Sequence, residues 1–265
     1  MTGRAVPILM YHLVTPSPAT PFRKYAVTPR AFAAQMRWLA ATGHRAILPD
    51  ALVAAREGRA ELPRHPVMIT FDDGFRDCID HALPALRARG FTAVFYLVAG
   101  FVGGRSEWLV AEKGVEYPLF GWDAARALER QGFACEAHSL THHRLTTLGA
   151  DACRHELVES RRVLERELGR EVRHLAYPFG IYDERVRATA VEAGYRSACS
   201  VRAGISDAAD DRFALHRVPV SGHDSLLDFV CRLRTARNWG ETVRRATRRF
   251  GRRADESAAV SDLVP

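Results

Sequence analysis

The chain reads as an α/β protein: a closed or nearly closed parallel (β/α) barrel of about seven strands, with a basic helical tail. Three observations predict this. Short apolar runs alternate with amphipathic stretches of helical length, the pattern of βα units on a mainly parallel sheet. Six or seven such units suit a ring better than an open sheet. Finally, the unusual polar clusters all fall where apolar runs end, at strand C-termini, the face on which βα barrels build active sites.

The strands are read at residues 7–11, 67–71, 93–98, 133–137, 174–177 and 195–199, each a short apolar run. Thr28-Pro29 supplies an N-cap followed by Pro at the first helical position, and Gly43 closes that helix. Further helices are read at 77–89, 122–131, 150–168 and 183–193, the last three each followed by Gly. Residues 1–223 are expected to form the barrel and 224–265 a tail.

Composition excludes several classes. With 47% hydrophobic and 26% charged residues the chain is not disordered as a whole. No run of 18 apolar residues occurs, so no helix is expected to span a bilayer. The net charge is +7, but nine arginines and a single acid, Glu241, lie between Arg232 and Arg253. That segment alone carries +8 and leaves the body near −1.

Leu226, Phe229, Val230, Leu233, Trp239, Val243, Ala246 and Phe250 keep helical spacing. Such a helix, over 226–253, either lies on an anionic membrane surface or covers the barrel with its arginines solvated. Nucleic acid is an unlikely partner, since no recognition motif accompanies the charge. The five cysteines are scattered and odd in number, which argues against a disulfide framework or a thiolate zinc site. The first apolar run is too short for a signal-peptide core. The expected location is therefore cytoplasmic, peripheral on the inner membrane face if the tail binds lipid.

Four polar clusters carry the chemistry. Thr70-Phe71-Asp72-Asp73-Gly74 offers two carboxylates leaving one strand in different directions, one for a metal and one free as a base; Asp-Gly is also a common turn. His138 and His142 present two imidazoles on one face if residues 139–142 form a helical turn, or they simply begin a solvated helix. One carboxylate and two imidazoles suit Zn²⁺, Fe²⁺ or Co²⁺ and leave coordination positions open, as catalytic sites do. A second, unligated carboxylate can take the proton of an attacking water, which fits hydrolysis of an amide or ester. Tyr177-Pro178-Phe179-Gly180 and Tyr11-His12 close two further strands.

Thr70-Phe71-Asp72-Asp73-Gly74 with His138-Ser139-x-x-His142 resembles the first two motifs of the polysaccharide deacetylase family (NodB homology, carbohydrate esterase family 4). Tyr177-Pro178-Phe179-Gly180 resembles its third motif, so the resemblance spans about residues 7–219. It implies a distorted (β/α) barrel and metal-dependent removal of N-acyl groups, usually acetyl, from the amino sugars of a polysaccharide or lipid-linked glycan.

Carried over by position, Asp73, His138 and His142 would bind a divalent metal, Zn²⁺ first, with Co²⁺, Ni²⁺ or Fe²⁺ as alternatives. Asp72 would be the general base, and the Phe179 N–H would help hold the oxyanion. Ser139 would orient the second motif or act as a helix N-cap.

Two departures stand out. The family's Arg two residues before the third-motif Pro is here Ala176, and Arg217 is either its substitute or a surface residue. The family's late Leu-His motif has no clear match after residue 219. The opening Leu9-Met10-Tyr11-His12 resembles a branch that places this His on the first strand, so His12 is the expected general acid, with His216 as runner-up; a core histidine is the bland alternative.

Tyr177, Pro178, Trp122 and Tyr182 are expected at the substrate, while Trp108, Phe120, Trp122 and Tyr182 each either stack on a sugar or pack the core. The stretch 100–121 is expected to act as a substrate lid. Rival readings are a related amide hydrolase, such as a deformylase or cyclic-amide hydrolase, and a catalytically silent glycan-binding protein.

Overall fold

The computed structural model describes residues 5–237 and 240. The chain runs through β1 (Ile8–Tyr11), β2 (Leu13–Val14), β3 (Ala26–Val27), α1 (Pro29–Ala41), β4 (Arg45–Ala46), α2 (Pro49–Arg56) and β5 (Pro66–Phe71). It continues through α3 (Leu83–Arg87), β6 (Val94–Leu97), α4 (Trp108–Lys113), α5 (Trp122–Arg130) and β7 (Ala134–Ala137). The last elements are α6 (Ala150–Leu168), β8 (His174–Ala176), α7 (Glu184–Glu192), β9 (Ser197–Ala203), β10 (Leu215–Pro219) and α8 (Leu226–Thr235).

Seven parallel strands close into a barrel in the order β1-β10-β9-β8-β7-β6-β5, with β5 pairing back onto β1. The closure aligns Leu9 with Val218 on one side and Tyr11 with Phe71 on the other. Strand β4 adds to the N-terminal end of β5, and β2 and β3 form a separate parallel pair.

The period-two alternation of strand side chains divides the core into two layers. Ile8, Met68, Val94, Tyr96, Ala134, Ala176, Cys199 and Leu215 form one cluster, which α2 joins through Leu52. Their sequence neighbours Leu9, Ile69, Phe95, Cys135, Leu175 and Ala198 belong to the other, packed beneath the surrounding helices. Continuing the first series up each strand reaches His12, Asp72, His138 and Arg217. Four polar residues from four strands thus converge on the C-terminal mouth of the lumen.

Local signals explain the helix ends. The Thr28 hydroxyl accepts from the Ala31 N–H with Pro29 at the first position of α1. Helix α6 closes on Gly169 in the left-handed conformation, where glycine has no Cβ penalty.

Several expectations are corrected. The strand β10 carries no apolar signature in the sequence, because its inward-facing residue is an arginine that breaks the pattern. The helix expected at 77–89 carries a π turn over Cys78–Ala82 ahead of its α-helical part, Leu83–Arg87. The stretch 100–121 is no free lid. It contains α4, bridges Arg105 to Pro118, and is hydrogen-bonded at its end by Phe120 N–H to Gly74 O (3.1 Å).

The tail helix stops at Thr235, with Ala236 in the left-handed region at φ 57°. Its Phe229 and Leu233 are buried, Phe229 meets Trp38 edge-on at 6.3 Å, and Arg232 pairs with Asp224 at 2.8 Å. This described part covers the barrel with its apolar face. The remainder of the membrane-surface helix expected over 226–253 lies outside the described residues. No helix among the described residues is long and apolar enough to cross a membrane. The five cysteines are free, four of them buried.

Candidate active site

Asp72 and Asp73 leave β5 toward different partners, Arg217 and the two imidazoles, and the backbone turns sharply at Asp73, with φ 76°. Among the described non-glycine residues, only Asp73, Ser139, His142, Phe179 and Ala236 have positive φ. Four of these five belong to the three motifs at the barrel mouth. Each such conformation costs on the order of 1–3 kcal/mol and persists only where its surroundings impose it.

Residues 138–142 are not the expected helical turn. The loop reverses through left-handed Ser139 and His142, and the Ser139 hydroxyl accepts from the His142 N–H at 3.0 Å. Two clamps hold it. Ala99 and Gly100 donate their N–H groups to Ser139 O (3.1 Å) and Leu140 O (2.8 Å). From α6, the buried Glu156 carboxylate accepts from Leu140 N–H (3.0 Å), Thr141 N–H (2.9 Å) and the Thr141 hydroxyl. Glu156 escapes sequence reasoning, since an acid within an amphipathic helix carries no distinguishing signal.

This loop delivers both imidazoles to Asp73. Its Oδ1 lies 3.4 Å from His138 Nε2 and 3.3 Å from His142 Nε2, and all three residues are buried. A tetrahedral ion with bonds of about 2.0–2.2 Å separates its donors by about 3.3–3.5 Å. Asp73 Oδ1 is nevertheless buried without a hydrogen-bond partner among the described residues. An orphaned carboxylate oxygen at metal-ligand spacing from two imidazoles fits a divalent cation.

The outer nitrogen of His138 supports the same reading. Nδ1 lies 2.7 Å from Ala176 O, and donating there leaves Nε2 with its lone pair facing Asp73. Burial alone would push the Asp73 carboxyl up, but the two imidazoles outweigh it and hold the carboxyl far below its usual range. Burial would lower His138, and Asp73 with Asp72 more than reverses that.

Asp72 is bound differently. Both its oxygens are taken by Arg217, Nη1 at 2.7 Å and Nη2 at 2.8 Å, while Arg217 Nε donates to Ser200 O at 2.8 Å. Arg217 is wholly buried, which excludes the surface-residue alternative. Burial would raise the Asp72 carboxyl; Arg217 and then His138 overcome that and keep it below the ordinary value. The arginine that binds Asp72 thus comes from β10, while position 176, at the end of β8, is an alanine.

His12 closes β1 beside this group. Its ring makes no hydrogen bond among the described residues and packs on Tyr25 at 5.3 Å and Phe22 at 6.4 Å. Burial lowers its pKa, only partly offset by Asp73 and Asp72. His216, the alternative acid, points away and pairs with Asp210 at 3.1 Å.

The Phe179 N–H remains outside its turn's hydrogen bonds, which run from Gly180 to Tyr177 O and from Ile181 to Pro178 O. Its ring meets His142 at 4.7 Å and lies under the Arg144 guanidinium at 3.9 Å.

The expected sugar contacts are only partly brought together. Tyr177 and Pro178 are buried, and the Tyr177 hydroxyl is used on Phe213 O at 3.1 Å, so neither side chain faces a substrate. Tyr182 stacks on Tyr177 at 4.9 Å. Phe120 is buried against Phe95. Trp122 lines a cleft of about 460 Å³ with Arg76, Asp80 and Asp123, which contains none of the metal-spaced residues. Trp108 stacks on His142.

The family profile of polysaccharide deacetylases matches residues 59–198. The chain belongs to the polysaccharide deacetylase family. This deacetylase-family chain is 26% identical over 216 residues to YxkH of Bacillus subtilis (strain 168), named for the same family, covering 82% of this chain and 71% of that one. It is 23% identical over 175 residues to the poly-β-1,6-N-acetyl-D-glucosamine N-deacetylase of Staphylococcus epidermidis, covering 63% of this chain and 58% of that protein. Its fold matches the Streptococcus pyogenes deacetylase PplD, solved in complex with acetate, at TM-score 0.77 and 21% identity, over 88% of this chain and 99% of the other.

Proposed function

We propose that this chain is a metal-dependent hydrolase that removes N-acetyl groups from the amino sugars of a glycan, polymeric or lipid-linked. One observation carries the reading: an orphaned Asp73 oxygen at ligand distance from two imidazoles, beside a second carboxylate, Asp72, kept ionised by a buried arginine. Membership of the family supports the reaction class, and the N-acetylglucosamine polymer named for the Staphylococcus relative supports the substrate class.

Asp73, His138 and His142 would hold the cation, with Zn²⁺ the best fit to two imidazoles and a carboxylate at near-tetrahedral spacing. When bound, such an ion polarises the amide carbonyl and lowers the pKa of an attacking water. Asp72 accepts that water's proton at its carboxylate, and Arg217 keeps it in the ionised, correctly aimed state the step needs. The Phe179 N–H donates to the oxygen that gains charge as water adds to the carbonyl carbon. As the C–N bond breaks, His12 in its protonated form delivers a proton to the leaving nitrogen; acetate and a free amino sugar result. Trp122 and Tyr182 supply flanking surface for neighbouring sugar units.

Acetate release from N-acetylglucosamine oligomers, measured with zinc and with a chelator, tests this. Chelator-sensitive acetate is the expected result. Metal-loaded protein that releases none from either oligomeric or lipid-linked acetylated amino sugars would sink the proposal.

A further inference from the structure

The two imidazoles facing Asp73 are held by different means. His138 is fixed by its hydrogen bond to Ala176 O. His142 has no such anchor: its Nδ1 is buried and has no partner among the described residues. A metal-binding imidazole normally donates its outer N–H to an oxygen, which sets ring orientation and basicity. Something else must hold this ring.

Aromatic faces surround it. Trp108 lies against His142 at 4.9 Å and 27°, nearly parallel, and is backed by Phe101 at 5.4 Å. Phe179 meets the ring edge-on from another side at 4.7 Å and 61°. The Trp108 indole N–H is itself buried and unpartnered among the described residues. Its place therefore follows from packing, with no hydrogen bond directing it. The segment that carries it is firmly built: Ala99 and Gly100 are bonded to the backbone of Ser139 and Leu140, and a Cβ on Gly100 would come within 2.7 Å of Leu140 O. One excursion, residues 99–121, thus holds the loop bearing His142 by its backbone and the His142 ring by Trp108.

We propose that Trp108 is the positioning residue of the second imidazole ligand, replacing the absent hydrogen bond by stacking, and that it thereby sets the metal affinity of the site. Indole is the aromatic face that attracts positive charge most strongly, and an imidazole gains cationic character when it donates its lone pair to a divalent ion. The stack therefore tightens on metal binding, which plain core packing would not do. The inference rests on the metal reading above.

Zn²⁺ affinity, measured by competition with a chelating dye, tests it in wild type, Trp108→Phe and Trp108→Leu, with circular dichroism and thermal midpoints of the metal-free proteins as fold controls. Loss of an outer support typically weakens metal affinity by about 10–100-fold. Trp108→Leu should fall in that range and Trp108→Phe between it and wild type. Ni²⁺ should quench wild-type tryptophan fluorescence, with most of the quenched component missing in Trp108→Phe. Wild-type affinity in Trp108→Leu, or undiminished quenching in Trp108→Phe, would overturn the proposal while leaving the metal site standing. A wild-type protein that binds no Zn²⁺ would instead overturn the metal reading, and this inference with it. Should Trp108→Leu fail to fold, affinity and quenching in Trp108→Phe decide alone.

Discussion

Arg217 grips Asp72 with both terminal guanidinium nitrogens, at 2.7 and 2.8 Å, across 145 residues of sequence and inside the barrel. Neither side chain is more than 3% exposed, so two opposite charges are desolvated together. Such a pair is weak evidence for stability but strong evidence of a constraint, because removing one partner strands the other charge. Here the constrained group is the proposed base.

Arg217→Met should therefore destabilise the fold by about 3–5 kcal/mol, read by chemical denaturation at neutral pH. The sign of the pH dependence follows from Asp72, whose folded value lies below its unfolded one. The pair's stabilisation is complete above the ordinary carboxylate pKa and is lost only as pH falls through the lowered value. Wild type should thus show no loss from this pair between pH 8 and 5. In Arg217→Met, burial acts unopposed by the guanidinium, and the acid limb of the rate profile should move toward neutrality. An unchanged acid limb would contradict the role given to Arg217.

Asp73→Asn should retain the fold but lose bound zinc, measured by metal analysis after gel filtration. The amide cannot carry the charge that makes the Asp73 oxygen a ligand for a dication. Zinc retained at wild-type stoichiometry would place the ion elsewhere.

His12→Gln should separate substrates by leaving group. Amide hydrolysis needs a protonated nitrogen to depart, and loss of a general acid typically costs about 10²–10⁴-fold. An aryl acetate, whose phenolate leaves unaided, should be hydrolysed at a nearly unchanged rate. Equal losses on both substrates would remove His12 from the acid role.

Gly180→Ala should be destabilising by about 2–4 kcal/mol, read as a lowered thermal midpoint. Gly180 sits at φ +64°, and a Cβ there would overlap both the backbone nitrogen and the side chain of Val201. The motif turn and β9 are packed too closely for any side chain at this position.

Much of this arrangement is legible in sequence, for a physical reason. Barrel strands are short apolar runs, so a charged or imidazole residue at the end of one stands out, and parallel topology gathers those ends on one face. Asp72, Asp73, His138 and His142 were visible on that ground. What escaped lies in relationships that periodicity does not encode. Arg217 hides β10 because a lumen-facing charge spoils the apolar alternation that would identify the strand. The left-handed turns at Ser139, His142 and Phe179 are made by residues that do not advertise them, as glycine does. Trp108 stands out in sequence only as an aromatic, and the folded excursion shows that one face is taken by His142. Tyr177 misled in the opposite sense, since its motif position suggested substrate while its ring and hydroxyl are spent on the core.

The role of Asp72 as base beside a bound cation is tested most directly by comparing Asp72→Asn with wild type, measuring zinc content and acetate release from N-acetylglucosamine oligomers on the same samples. About one zinc per chain is expected in both proteins, with a rate at least about 10²-fold lower in the variant. Wild-type acetate release by Asp72→Asn with zinc still bound would contradict that role.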